Sequence, residues 1–165
     1  MKLTFTRAFT GLLLFVLTVS SGIASGEYIC GHFVGRSPKP LAMSPEAARQ
    51  YAKEAADQIE HGFVVRGDGR SMEPLYTSGT LLVIEPVPYA SLQRGATVLY
   101  RNKAGLPVTH LLVARARDGW RATGLNNRRA DAEPVNVDNF IGVVTAAVTP
   151  ATSRPLSGGM RIASQ

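Results

Sequence analysis

The sequence predicts a mainly β domain, either a coiled antiparallel sheet or a partly closed barrel, preceded by one amphipathic helix and a hydrophobic leader. Two observations carry this. From Phe63 onward, short runs rich in Val, Leu, Ile and Thr alternate with turn residues at hairpin spacing. Ahead of them lies a single segment with helical start signals and apolar positions four apart. A chain of 165 residues with 45% hydrophobic residues suffices for one such domain with its own core.

Taken in order, residues 1–26 come first. Lys2 and Arg7 precede an uncharged run centred on Leu12 to Leu17, with small residues at Gly22 and Ala24. This pattern is that of an export signal, or of a membrane anchor if it stays uncut, and it directs the remainder out of the cytoplasm. Residues 27–43 hold glycine, serine and two prolines and are expected to form a linker or an irregular edge segment. A helix is expected next: Ser44 caps it, Pro45 suits its first position, Glu46 complements the dipole and Gly62 stops it. Its inward face is expected to be Ala47, Tyr51, Ala55 and Ile59.

Strands are expected at Phe63–Val65, Thr80–Glu85, Thr97–Arg101, Pro107–Ala114, Trp120–Thr123 and Phe140–Val148. Turn signals separate them, among them Asn102 to Gly105 and the Asp118-Gly119 dipeptide suited to a tight hairpin. The folded domain is thus expected to span residues 44–149, followed by a loose tail over 150–165.

Charge and cysteine content exclude several classes. The net charge of +6 contains no block of five like charges and no zinc-finger spacing, so it reads as a solvated basic surface rather than a nucleic-acid site. Cys30 is the single cysteine, so no intrachain disulfide can form. Cys30 and His32 lack a second pair of ligands, and neither a metal nor a cofactor is expected.

The residues that carry chemistry begin at Ser71, which stands in a tight turn after a β run, a place where a chain displays a nucleophile. A serine hydroxyl attacks only when a base takes its proton. His110 lies on a strand whose alternation puts it on one face with Leu112, and an imidazole ordinarily titrates near pH 6.5, which suits that task. Asp131 supplies a carboxylate to orient the imidazole, with Asp138 as a fallback acid. Considered singly, His110 reads more readily as a satisfied core histidine than as a base, and Asp131 has the alternative reading of a loop cap.

The ordered segments resemble the signal peptidase I superfamily. Gly69-Arg-Ser71-Met72-Glu-Pro74 is similar to its nucleophile box, Ser-Met-x-Pro, and Gly95-Ala-Thr-Val98 to its Gly-Asp-x-Val box with Ala96 in place of aspartate. Thr109-His110 is similar to the general-base box of the branch that uses histidine, found in the endoplasmic reticulum, archaea and some bacteria. Gly124-Leu-Asn-Asn127 and Asp131 are similar to its last box, with Leu125 replacing the first aspartate. The resemblance covers about Phe63 to Val144 and implies a β-rich catalytic fold and a serine endopeptidase acting on extended polypeptides. It implies catalytic roles for Ser71, His110 and Asp131, and it puts Gly69, Arg70, Met72 and Pro74 in the substrate and oxyanion neighbourhood. Many relatives carry a hydroxyl where Gly69 stands, so the second oxyanion donor is unassigned. The alternatives are a non-catalytic peptide-binding module on the same fold and, ranked lower, a self-cleaving protein.

Overall fold

The computed structural model describes residues 27–151. The expected leader, and the expected tail from residue 152 on, lie outside the described residues. Nine strands and one α-helix follow in chain order: β1 Tyr28–Ile29, β2 His32–Phe33, β3 Leu41–Met43, α1 Pro45–Asp57, β4 Phe63–Arg66, β5 Leu81–Glu85, β6 Thr97–Arg101, β7 Pro107–Ala116, β8 Gly119–Thr123 and β9 Phe140–Pro150. Among the described residues, no helix is long and apolar enough to cross a membrane.

The fold is a seven-stranded sheet in the order β4-β5-β9-β6-β7-β8, with β3 added to β9. Its strands agree with those expected from β4 onward, to within two residues at each end. Strand β9 is the hub: Val143 to Val148 pair with β5, while Phe140 to Val143 pair with β6 on the opposite edge. Since β6 ends there, the rest of that edge is open, and β3 fills it with Leu41 opposite Val148. That pair is parallel, so the sheet is not wholly antiparallel as expected. The two ends, β4 and β8, do not pair with each other. The fold is therefore the open sheet of the two expected forms, not a closed barrel.

Residues 27–43 are built into this domain rather than linking to it. β1 and β2 form a hairpin turned by Cys30 and Gly31, both in the left-handed region. Val34 is buried in the main core, and the Tyr76 hydroxyl donates to the Pro38 carbonyl at 2.8 Å.

Helix α1 starts as expected, with the Ser44 hydroxyl accepting from the Ala47 amide. It ends earlier, at Asp57, and its buried stripe is Ala48, Ala52 and Ala56 rather than the face starting at Ala47, which is exposed. Tyr51, Ala55 and Ile59 pack at the margin of that stripe. Small side chains let the helix lie close on Val83 of β5 and Val148 of β9. The left-handed residue after the helix is His61, and Gly62 is required because a Cβ there would lie 2.6 Å from the Ala56 carbonyl oxygen.

Alternation along β5 divides the interior. Val83 faces the helix, whereas Leu82 and Ile84 face a second core formed with Met72, Leu75, Tyr76, Leu99 and Leu111. A third cluster joins Val98, Tyr100, Leu112 and Trp120 on the opposite face of β6 and β7.

Candidate active site

Ser71 lies in the turn that joins β4 to β5. The approach to it is fixed from both sides: the Gly67 amide donates to the Thr80 carbonyl, and the Asp68 carboxylate accepts from the Gly69 amide and the Ser78 hydroxyl. Gly69 has φ of 85°, a conformation that disfavours any side chain. Below the turn, Met72, Leu75 and Tyr76 are buried and anchor it to the core.

The loop after β8 closes on the same turn. The Asn126 amide donates to the Ser71 carbonyl at 2.8 Å, and the Asn126 side chain donates to the Arg70 carbonyl at 3.1 Å. A Cβ at Gly124 would stand 2.6 Å from the Ser71 carbonyl oxygen, so only glycine permits this approach. Leu125, which stands where the resemblance has an aspartate, is buried in the core with Met72 and Leu75. Its place is one of packing under the turn, and the loop supplies its carboxylate from Asp131 instead.

His110 is brought in by β7. Register places Val98 of β6 opposite His110 and Tyr100 opposite Val108, so these four share one face. His110 is 7% exposed, and its Nδ1 lies 2.7 Å from Asp131 Oδ2 while its Nε2 lies 3.0 Å from Ser71 Oγ. An ionised carboxylate only accepts, so Nδ1 carries the proton that Asp131 receives, and Nε2 is left to accept from the serine hydroxyl. The three residues that the sequence singled out thus meet in one hydrogen-bonded chain. Such a chain can take a proton from Ser71, hold it on the imidazole and stabilise the charge formed. The Ser71 amide N–H makes no hydrogen bond among the described residues and is available to an oxyanion.

Of the four neighbours, Gly69 and Met72 line a cleft with Ser71, whereas Arg70 and Pro74 are exposed and do not. Arg70 donates instead to Glu73. The cleft measures about 230 Å³ and lies between Val65 to Gly69 on one wall and Pro107 and Thr109 on the other, with Leu82 and Leu99 among its lining residues. Both walls are strand edges left open. Among the described residues, β4 pairs only with β5, and Pro107 to His110 pair only with β6, because pairing with β8 begins at Leu111.

Sequence reasoning missed Tyr100. Its hydroxyl donates to Asp131 Oδ2 at 2.7 Å, the oxygen that His110 also uses. Burial, then the bond to Asp131, push this phenol well above the usual tyrosine range. The signal was present only as an aromatic in a strand, which by itself reads as core. Asn126 was placed in the last box of the resemblance, but its hydrogen bonds to the Ser71 and Arg70 carbonyls were not foreseen.

The chain is similar to signal peptidase I W of Bacillus subtilis (strain 168), with 31% identity over 85 residues. That match covers 48% of this chain and 45% of the relative, so the chain spans less than half the length of the protein it resembles. No protein-family model matches the chain.

Proposed function

We propose that this protein is a serine endopeptidase of the signal peptidase type, exported by its leader, which cleaves extended polypeptides through Ser71, His110 and Asp131. The hydrogen-bonded chain from Ser71 through His110 to Asp131, beside a cleft with two open strand edges, carries the reading. An extended peptide entering the cleft would add main-chain hydrogen bonds to β4 on one side and to the first half of β7 on the other. Ser71 Oγ then bonds to the scissile carbonyl carbon as its proton passes to His110 Nε2. The Ser71 amide donates to the developing oxyanion. Collapse breaks the carbon–nitrogen bond, and His110 returns the proton to the leaving amine. Water, deprotonated by the same imidazole, releases the acyl group and restores Ser71. Asp131 keeps the imidazole in the tautomer that can act. The use of histidine as base follows the histidine branch of the superfamily.

The test is acylation by a fluorophosphonate, followed by mass mapping of the adduct and by digestion of an extended peptide mixture. An adduct on Ser71, and cleavage that the probe blocks, are expected. A Ser71→Ala protein labelled as strongly as the parent would overturn the assignment. Peptide binding without labelling or cleavage would instead favour the non-catalytic module.

A further inference from the structure

The structure assigns Tyr100 as a positioning residue for the catalytic pair: its hydroxyl fixes the Asp131 carboxylate toward His110 and draws off part of that carboxylate's charge. This rests on the serine-peptidase reading above and adds to it a device that sets the pH range of the base.

The geometry is specific. One oxygen, Asp131 Oδ2, accepts from both Tyr100 and His110, each at 2.7 Å. Two donors on one oxygen fix the plane of the carboxylate, which otherwise turns freely about its last bond. Asp131 sits in a loop held to β8 by its amide, which donates to Ala122. The position of its side chain therefore depends on partners beyond the loop. Tyr100 is a rigid one, 2% exposed and packed with Val98, Leu112 and Trp120.

Electrostatics point the same way. The ion pair that Asp131 makes among the described residues is with His110, and no lysine or arginine shares its charge. A recess of about 300 Å³ beside the pair is bounded by Tyr100, Asn102, Val108, His110, Asp131 and Glu133, so the further charge facing it is negative. On the nucleophile turn, Arg70 and Glu73 pair with each other. A neutral donor that stays protonated at every working pH is thus the group that tempers Asp131. Bonding to the charged form stabilises it and makes it a weaker attractor of protons. With Tyr100 in place, the carboxylate orients the imidazole without holding it protonated too firmly to serve as a base.

Fluorophosphonate acylation rates measured against pH, on the full chain, separate this from a packing role. Tyr100→Phe keeps the ring and removes only the donor. Its plateau rate is expected to fall about tenfold, and the acidic limb to move up by about half a pH unit or more, because the undiluted carboxylate favours the imidazolium. In an Asp131→Asn background the same change is expected to have no further effect. A parental plateau and limb in the Phe protein, or an equal loss with and without Asp131, would overturn the assignment. If the Phe protein does not fold, a fluorinated tyrosine placed at position 100 strengthens the donor and is expected to move the limb to lower pH; an unmoved limb overturns it. Labelling of a Ser71→Ala protein would sink the serine-peptidase reading rather than this one.

Discussion

The helix-backed half of the sheet and the cleft-bearing half are built by opposite rules. Around β5 and β9 both strand edges are paired, α1 covers one face, and the fully buried contacts beneath it are alanine and valine side chains. Around Ser71 the first half of β7 has an open edge, and glycine, asparagine, histidine, aspartate and tyrosine gather there in hydrogen bonds that cross between elements. Under the proposed function, stability resides in the first region and chemistry in the second. Rigid neighbours hold the polar groups in place, because a site on a strand edge cannot rely on burial alone.

Substitutions can break that division. Ser71→Ala should have the largest effect, a loss of acylation of about 10⁶-fold with the melting temperature unchanged. Asp131→Asn should follow at about 10⁴-fold, because the amide favours the wrong imidazole tautomer; it is read from the same labelling rate. Alkaline titration probes groups that serve both halves. Burial holds Tyr76 and Tyr100 far above the ordinary pKa of 10.0, so their neutral forms support the fold fully below about pH 10. Above it the unfolded chain ionises first, and stability should fall by about 3 kcal/mol per pH unit for the two phenols, measured by urea unfolding. Val83→Ala, fully buried beneath α1, should cost about 2 kcal/mol in the same assay and leave the acylation rate unchanged. Lys103→Ala should change neither quantity, since that lysine is exposed in the turn between β6 and β7 and is remote from the role of base. A rate lost on removing Lys103, or on trimming Val83, would show that the halves are not separable as drawn.

What was legible in the sequence follows from the range of the physics involved. β-branched runs between glycine and proline turns are local, and so β4 to β9 could be placed. The Ser44 cap is local too, and fixed the start of α1. The helix face slipped by one position because an alanine-rich helix offers two neighbouring stripes of almost equal hydrophobicity, and only Val83 and Val148 decide between them. β3 was read as irregular because three residues carry no period of their own, and their partner lies at the other end of the chain. Ser71, His110 and Asp131 could be named because their chemistry is rare in such an order. Tyr100 could not, since its function depends on which oxygen its hydroxyl reaches, and pairing with β7 determines that.

The distance along the chain between the reacting groups has a kinetic meaning. Ser71 and His110 are 39 positions apart, and His110 and Asp131 a further 21. They meet only after β6 has paired with β7 and the loop beyond β8 has docked on the nucleophile turn. Non-local contacts such as that docking form late and slowly, on the scale of milliseconds to seconds. During that interval the unfolded polypeptide carries an ordinary serine hydroxyl with no proton acceptor beside it, and so, under the function proposed above, the chain is harmless to itself and to its neighbours until its own sheet is complete.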